Sequence, residues 1–199
     1  MKLQLLTTLR DKQTDLAAFR TAADRLSELI AAEIALSMPL EMKRVETPLG
    51  PAEGACCLNS VVLIPILRAG MVMLPAFLRH FCNAKVGFLG MRRDEKTAQP
   101  ILYYEHLPKI DGDEIVMLLD PMIATGGSAL LALDKIAKAG AHPSRIHLAG
   151  IIGALEGLQR IKKSYPYLNL SVVAEDPELN AQKFIVPGLG DFGDRYFGT

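Results

Sequence analysis

Short apolar segments alternate with stretches of helical periodicity along most of this chain. The segment Val61–Leu67 is apolar throughout, as in a strand that is covered on both faces of a sheet. Similar apolar segments follow at 86–89, 115–119, 146–152 and 170–174, and helix-like stretches lie at 71–81, 127–139 and 155–164. Strands that alternate with helices imply right-handed crossovers. We therefore predict an α/β fold with a central parallel sheet flanked by helices.

The N-terminal part of the chain has two other patterns. Apolar residues spaced by three and four predict one helix of about five turns, ended before Pro39. Its apolar stripe consists of Leu16, Phe19, Ala23, Leu26, Ile30 and Ile34. Residues 43–47 then alternate between polar and apolar, and Pro48, Leu49 and Gly50 turn the chain back. This pattern indicates a β-hairpin, which would form a smaller hood region beside the sheet.

Composition and charge exclude several classes of protein. The 199 residues include 22 Lys and Arg against 22 Asp and Glu, and half of all residues are apolar. This balance favours a globular chain with a single domain over 1–199, and it argues against nucleic-acid or membrane partners bound by bulk charge. Residues 61–78 are interpreted as a strand and a helix rather than a membrane span, because they include Arg68 and two prolines. The three cysteines form no Cys-x-x-Cys pair, which favours free thiols in a cytoplasmic protein.

The most specific motif directly follows the apolar segment Ile115–Leu119. It consists of Asp120, Pro121, Met122, Ile123, Ala124, Thr125, Gly126, Gly127 and Ser128. The glycines let the backbone approach a ligand, and the first amides of the following helix are free to bind phosphate. The Asp120 carboxylate suits sugar hydroxyls. The loop therefore predicts a ribose 5-phosphate site, while a simple turn with Thr125 or Ser128 as helix N-cap remains the alternative.

Two general nucleotide-binding motifs fit this chain less well. No Gly-Lys-Ser or Gly-Lys-Thr follows the loop at the spacing of a Walker motif. Gly188, Gly190 and Gly193 have the spacing of a dinucleotide fingerprint, but no helix is predicted after them and no acidic residue follows about twenty positions on. We therefore do not interpret them as a dinucleotide site.

Four blocks of sequence together resemble the uracil phosphoribosyltransferases, a family of type I phosphoribosyltransferases. The loop Asp120 to Ser128 is similar to the loop that binds phosphoribosyl pyrophosphate (PRPP) in those enzymes. The other blocks, in the same order, are PILRAG at 65–70, GMRRDE at 90–95 and IVPGLGDFGDR at 185–195. The resemblance extends from about residue 5 to the end of the chain. It implies transfer of a phosphoribosyl group from PRPP to uracil, which gives UMP and pyrophosphate.

The resemblance also implies roles for individual residues. The PRPP site would consist of Arg68, Arg93, Asp191 and the loop from Asp120 to Ser128, with Arg68, Arg93, Asp120 and Asp191 as the catalytic residues. Both arginines suit pyrophosphate, because a guanidinium binds two phosphate oxygens at once. The polar stretch 92–99 could form a mobile lid around Arg93, or a solvated hairpin. For Arg68 the alternative is a surface salt bridge.

Uracil would be recognised by the C-terminal block, residues 185–195. By resemblance, its carbonyl and N–H groups meet main-chain groups around Ile185, Gly190, Asp191 and Phe192, an arrangement that rejects the amino group of cytosine. Mg²⁺ is the implied cofactor; it would bind the pyrophosphate and take few protein ligands, with Asp191 a possible one. The histidines of the chain, His80, His106, His142 and His147, lie outside the matched blocks, so no general base is nominated.

The chain departs from the family pattern in a few places. Arg92 stands where an aromatic residue is common, Phe192 where some relatives have alanine, and Leu155 where proline is common. The N-terminal His-Pro segment of typical members is missing. The resemblance implies a homodimer or larger homo-oligomer, and possible activation by GTP.

Three alternatives to this enzyme remain open. One is an RNA-binding regulator that senses pyrimidines on the same fold, although the zero net charge and the lack of a Lys/Arg cluster argue against it. Another is a catalytically silent homologue, and a third is an enzyme for a different base, such as xanthine or adenine.

Overall fold

The computed structural model describes residues 1–94 and 99–199. The helices are α1 Lys2–Arg10, α2 Leu16–Leu36, α3 Leu74–His80, α4 Gly127–Lys138, α5 Leu155–Ser164 and α6 Phe192–Phe197, with 3₁₀ turns at Ala69–Val72 and Pro143–Arg145. The strands are β1 Leu40–Thr47, β2 Gly50–Cys57, β3 Val61–Leu67, β4 Lys85–Val86, β5 Phe88–Arg93, β6 Pro100–His106, β7 Ile115–Leu119, β8 Met122–Ile123, β9 Ile146–Ala154, β10 Asn169–Asp176, β11 Glu178–Leu179 and β12 Ile185–Val186.

A mostly parallel sheet forms the centre of the fold, as predicted. Its strand order is β10-β9-β7-β3-β5-β6, with β4 beside β3 and β8 beside β9. These pairs are parallel except β5 and β6, which run antiparallel. The fold class, an α/β protein with a central sheet flanked by helices, is confirmed.

Strand β3 is apolar throughout because both faces of the sheet are covered. Val61 and Leu63 pack into the core under α1, α2, α3 and α6, whereas Val62 and Ile64 pack into the core under α4 and α5. Successive side chains of a strand point to opposite faces, so two cores need an unbroken apolar run. The same alternation holds for β7.

The long N-terminal helix α2 confirms the predicted stripe. Phe19, Ala23, Leu26, Ile30 and Ile34 are buried, and Leu16 at the first turn is exposed. The helix is capped by Asp15, whose side chain accepts a hydrogen bond from the Ala18 N–H at 2.8 Å.

The predicted hairpin is present and longer than expected. Strands β1 and β2 pair from Leu40 with Cys57 to Thr47 with Gly50, and Pro48 and Leu49 form the turn. Most of its residues are exposed, and the two strands form a sheet separate from the central one.

Several elements differ from their predictions. The strand expected at 86–89 is divided by Gly87 into β4 and β5, and the helix expected at 71–81 is a 3₁₀ turn followed by α3. No pattern predicted α1, β6 or α6. The expectation that no helix accompanies Gly188, Gly190 and Gly193 is wrong, because α6 begins at Phe192 and includes Gly193. The rejection of a dinucleotide site rests on topology instead, since β12 before these glycines lies outside the central sheet.

Within the described residues, no helix combines the length and the apolar character needed to cross a membrane.

Candidate active site

A cavity of about 340 Å³ lies at the carboxyl ends of β3, β5 and β7. In parallel sheets this edge is the usual place for ligands. The predicted site residues that line it are Arg68, Arg93, Asp120, Met122, Ala124, Ser128, Ile185, Gly190, Asp191 and Phe192. The remaining loop residues, Pro121, Ile123, Thr125, Gly126 and Gly127, are not among the lining residues. The fold thus brings all four sequence blocks to one cavity.

Asp120 begins the loop at the end of β7, at a half-buried position. Burial raises the pKa of Asp120 to about 7, although a hydrogen bond from the Met122 N–H and the positive charge of Arg93 oppose this shift. The Met122 N–H lies 3.3 Å from Oδ1. Near neutral pH this carboxyl is therefore close to half protonated, and hydrogen bonds from ligand hydroxyls would favour its charged form.

The loop ends at the N-terminus of α4. Gly126 is the N-cap, with a φ of +74° that favours glycine, and it offers no side chain to the first amides of the helix. The Gly127 N–H makes only a long contact of 3.4 Å with Thr125 Oγ1. The alternative in which Thr125 or Ser128 is the N-cap is wrong. The first amides of α4 are available to an anion, and the helix dipole favours one.

Helix α5 packs against the back of this loop through Gly157, which sequence reasoning did not assign to the site. A Cβ at Gly157 would lie 2.1 Å from the Ala124 carbonyl oxygen and 2.9 Å from the Gly126 nitrogen. Arg160, also on α5, donates from Nη1 to the Thr125 carbonyl at 3.3 Å. The only sequence signal was a glycine in the first turn of a predicted helix, where glycine is a weak helix former.

Arg68 follows β3 at the rim of the cavity. Its side chain is 57% exposed and its Nη2 lies 3.1 Å from Oδ1 of Asp194, which is also exposed. The guanidinium also lies over the ring of Phe197, at 5.8 Å from the centroid. The salt bridge considered as an alternative is thus present. Such exposed pairs are weak, so a more highly charged anion can displace Asp194 from the guanidinium.

Arg93 ends β5, and both Arg92 and Arg93 line the cavity. Arg93 donates from Nη1 to the Lys183 carbonyl at 3.3 Å, which links β5 to the chain that leads into the C-terminal block. Strands β5 and β6 form an antiparallel pair with Arg93 opposite Pro100. Half of the proposed lid, residues 95–98, lies outside the described residues.

The C-terminal block borders the cavity through Ile185, Gly190, Asp191, Phe192 and Gly193. Ile185 is buried in β12, and Gly188 and Gly190 have φ values of +62° and +80°. The Phe192 N–H contacts Sδ of Met122 at 3.3 Å, which joins this block to the loop after β7. Asp191 caps α6, because its Oδ1 accepts a hydrogen bond from the Asp194 N–H at 2.9 Å.

The ring of Phe192 belongs to the core. It is 1% exposed and packs against Phe19 and Tyr196, with ring centroids 5.5 Å and 6.1 Å away. The larger side chain, in a position where some relatives have alanine, therefore packs into the core and does not project into the open space of the cavity.

Two further lining residues, Lys183 and Phe184, lie outside all four matched blocks. Five others lie within the blocks but had no predicted role: Ile66, Leu67, Ala69, Met91 and Gly193. Lys183 and Phe184 directly precede the matched block at Ile185, and no motif marked them. Lys183 has a φ of +64°, and Phe184 is 44% exposed. None of the histidines is among the described residues that line the cavity.

Comparisons with solved structures agree with this architecture. A protein from Aquifex aeolicus superimposes with a TM-score of 0.91 and 36% identity, covering all of this chain and 94% of that one. An adenine phosphoribosyltransferase from Giardia lamblia, at 15% identity and a TM-score of 0.54, covers 79% of this chain and 81% of its own. The second likeness shows the shared fold alone.

Comparisons of sequence extend over almost the whole chain. A family model described as uracil phosphoribosyltransferase matches residues 2–199. The uracil phosphoribosyltransferase of Halalkalibacterium halodurans is 43% identical, covering 98% of this chain and 92% of that protein. That of Mycoplasma genitalium is 39% identical, covering 98% of this chain and 93% of that protein. With a family model and relatives that match nearly its full length, this chain belongs to the uracil phosphoribosyltransferase family.

Proposed function

We propose that this protein transfers the 5-phosphoribosyl group of PRPP to uracil, forming UMP and pyrophosphate in pyrimidine salvage. The observation that carries the proposal is the placement of Asp120 and of Ser128, in the first turn of α4, at one cavity with Arg68 and the C-terminal block. A carboxylate beside an anion-binding helix end suits a ribose phosphate. The names of the curated relatives agree with this reaction.

The donor would lie across the carboxyl edge of the sheet. Its 5-phosphate takes the first amides of α4, its ribose hydroxyls donate to Asp120, and its pyrophosphate faces Arg68 and Arg93. This placement fixes the anomeric carbon between the leaving pyrophosphate and the base, so that the two reactants meet in line. The arginines stabilise the negative charge that builds on the pyrophosphate while the ribose gains oxocarbenium character.

Mg²⁺ is the proposed cofactor, and the carboxylates at the cavity fit a modest role in holding it. Asp191 uses Oδ1 to cap α6, which leaves Oδ2 for the ion or for one of its water molecules. Most of its ligands would come from the donor, as is common for Mg²⁺ with phosphates. When bound, the ion neutralises charge on the pyrophosphate.

The position of the C-terminal block supports main-chain recognition of the base. Ile185, Gly190, Asp191 and Phe192 border the cavity, and the side chain of Phe192 is buried in the core. Main-chain N–H and C=O groups have fixed donor and acceptor character. Cytosine would therefore place its amino group where uracil presents a carbonyl, and a buried group would lose its partner.

An assay of pyrophosphate release with different bases tests the proposed function. The protein is incubated with PRPP, Mg²⁺ and either uracil, cytosine, xanthine or adenine, and pyrophosphate release is followed. Release with uracil alone is expected. Release with another base would show that this base, and not uracil alone, is a substrate. Tight PRPP binding without release of pyrophosphate would indicate a catalytically silent homologue. Binding of RNA in a pyrimidine-dependent manner, with no release, would favour a regulator.

The two arginines at the end of β5 are expected to differ in their effect on PRPP. Replacing Arg93 by alanine should raise the KM for PRPP by about 10- to 100-fold, since it removes charge-assisted hydrogen bonds to the pyrophosphate. Replacing Arg92 by alanine should change that KM by less than about threefold. Steady-state kinetics with PRPP varied at saturating uracil compares the two variants, and equal effects would contradict the assignment to Arg93.

The proposal includes a homodimer or larger homo-oligomer, activation by GTP and a cytoplasmic location. The exposed hairpin formed by β1 and β2 supports self-association, because isolated two-stranded sheets are marginally stable in water. The free thiols of Cys56, Cys57 and Cys82 suit a reducing compartment. Sedimentation as a monomer at assay concentration would contradict the oligomer, and a rate unchanged by added GTP would contradict activation.

A further inference from the structure

Arg10, the last residue of α1, binds the turn at Gly188 in the middle of the C-terminal block. Its Nη1 donates to the Gly188 carbonyl and to Oδ2 of Asp176, both at 2.8 Å, and its Nη2 donates to Oδ1 of Asp176 at 2.6 Å. The Gly188 N–H donates to Oδ2 of Asp176 at 2.7 Å. Both polar main-chain groups of Gly188 are therefore held by one arginine–carboxylate pair.

A second arginine ties the same segment to the same helix. Arg195 on α6 donates from Nη1 to the carbonyls of Leu189, at 2.8 Å, and of Leu9, and from Nη2 to the Asp11 carbonyl at 2.7 Å. Its guanidinium lies 4.4 Å from the ring centroid of Phe19 on α2. The end of α1 is thus fixed to two consecutive residues of the C-terminal block.

The pair between Arg10 and Asp176 is well placed to hold a precise geometry. Asp176 ends β10 and is 4% exposed, so its charge needs good partners. Burial alone would raise the pKa of Asp176, but the hydrogen bonds from Arg10 and from the Gly188 N–H bring it below its ordinary value. The carboxylate therefore stays charged at neutral pH, and the bidentate geometry restricts both side chains.

The turn that this pair holds is tight. Gly188 has a φ of +62°, and a Cβ there would lie 2.1 Å from the Ile185 carbonyl oxygen. Ile185 and Gly190 flank the turn, and both border the cavity. Arg10 and Asp176 are not among the described residues that line it, so any influence on the base must pass through Gly188.

We propose that Arg10 and Asp176 are positioning residues for base recognition: they fix the turn at Gly188 and so set the spacing between the main-chain groups of Ile185 and Gly190. This inference rests on the proposed function, because it requires those groups to bind uracil. It assigns to the first helix of the chain a part in substrate choice, although that helix lies outside the cavity.

Arg10→Lys tests the proposal. Lysine keeps a positive charge near Asp176, so the thermal unfolding temperature should stay close to that of the wild type. A single ammonium does not reproduce the planar fork that bridges the carboxylate and the Gly188 carbonyl. The KM for uracil should therefore rise about tenfold, while the KM for PRPP stays within about twofold.

The matched control is Arg79→Lys, because Arg79 also makes two hydrogen bonds to one carboxylate, that of Glu28, at 2.9 Å and 2.6 Å. That pair lies on α2 and α3, and neither residue is among those that line the cavity. Arg79→Lys should leave both KM values unchanged. An equal rise in the uracil KM in this control would overturn the proposal.

Further results with the variants would overturn the positioning role of Arg10 and Asp176. A normal uracil KM in Arg10→Lys, or a rise shared equally by uracil and PRPP, would show a structural role only. If Arg10→Lys does not fold, Asp176→Asn is measured instead. Asparagine keeps an oxygen for the Gly188 N–H but removes the charge opposite Arg10. This variant should raise the KM for uracil about tenfold and leave the KM for PRPP within about twofold. Failure of both variants to fold would also overturn the proposal. A wild type that shows no turnover with uracil would contradict the proposed function instead.

Discussion

Replacing Gly157 by alanine should displace the loop from Asp120 to Ser128 and lower activity, even though Gly157 is not among the described residues that line the cavity. A Cβ would lie 2.1 Å from the Ala124 carbonyl oxygen and 2.9 Å from the Gly126 nitrogen, and both of these neighbours are backbone atoms. Either α5 or the loop must therefore move. Overpacking of this kind typically costs about 1–3 kcal/mol of stability, and a displacement of about 1 Å in a site can reduce turnover about 100-fold.

We expect kcat/KM for PRPP to fall about 100-fold in Gly157→Ala, while the protein remains folded by circular dichroism. Gly54→Ala is the matched control, because the nearest atom to its Cβ, the Lys43 carbonyl oxygen in the exposed hairpin, would lie 3.6 Å away. It should leave the kinetics unchanged. A Gly157→Ala enzyme with wild-type kinetics would show that α5 does not set the position of the loop.

Asp120→Asn should lower the activity of the protein and raise its stability at high pH. The carboxylate accepts hydrogen bonds from ribose hydroxyls in the proposed complex, and a hydrogen bond to a charged group contributes about 1.5–3 kcal/mol. We therefore expect kcat/KM for PRPP to fall roughly 100-fold. The amide cannot ionise, so the variant also escapes the cost of a charge at this half-buried position.

The titration of Asp120 should make the folded protein less stable as pH rises. Folding raises the pKa of Asp120 from 3.8 to about 7 through burial. The stability contributed by its protonated form is fully present below pH 3.8 and is lost as pH rises through about 7. Asp120→Asn should therefore be more stable than the wild type at pH 8, by at most ~4 kcal/mol, with a smaller difference at pH 5. Urea unfolding at both pH values measures this, and an equal difference at both would contradict the raised pKa.

The titration of Asp120 should also change the affinity for PRPP with pH. Ribose hydroxyls favour the charged form of Asp120, so the affinity of the wild type for PRPP should rise with pH through about 7. The ionisation of PRPP itself is common to both proteins. The difference between the wild-type and Asp120→Asn binding profiles therefore isolates this carboxyl group.

Local chemistry in the sequence was enough to predict the centre of the fold. Strands β3 and β7 are covered on both faces, and this leaves an unbroken apolar run that is visible without any knowledge of the fold. The loop from Asp120 to Ser128 was likewise recognisable, because a carboxylate, two glycines and a helix start are adjacent in the chain.

Features that depend on distant contacts were not predictable in this way. The importance of Gly157 comes from the approach of α5 to the loop, and the contact between Arg10 and Gly188 spans most of the chain. Helix α6 is only six residues long and follows a glycine-rich segment, so it has too few turns for a periodic pattern. Its core position comes from Phe192, whose partner Phe19 lies on α2.

A crystal structure of the protein with PRPP tests the central claim most directly. We expect the 5-phosphate to lie within hydrogen-bond distance of the amides of Gly126, Gly127 and Ser128, with the ribose hydroxyls on Asp120. PRPP bound elsewhere, with this loop free of phosphate, would contradict the account.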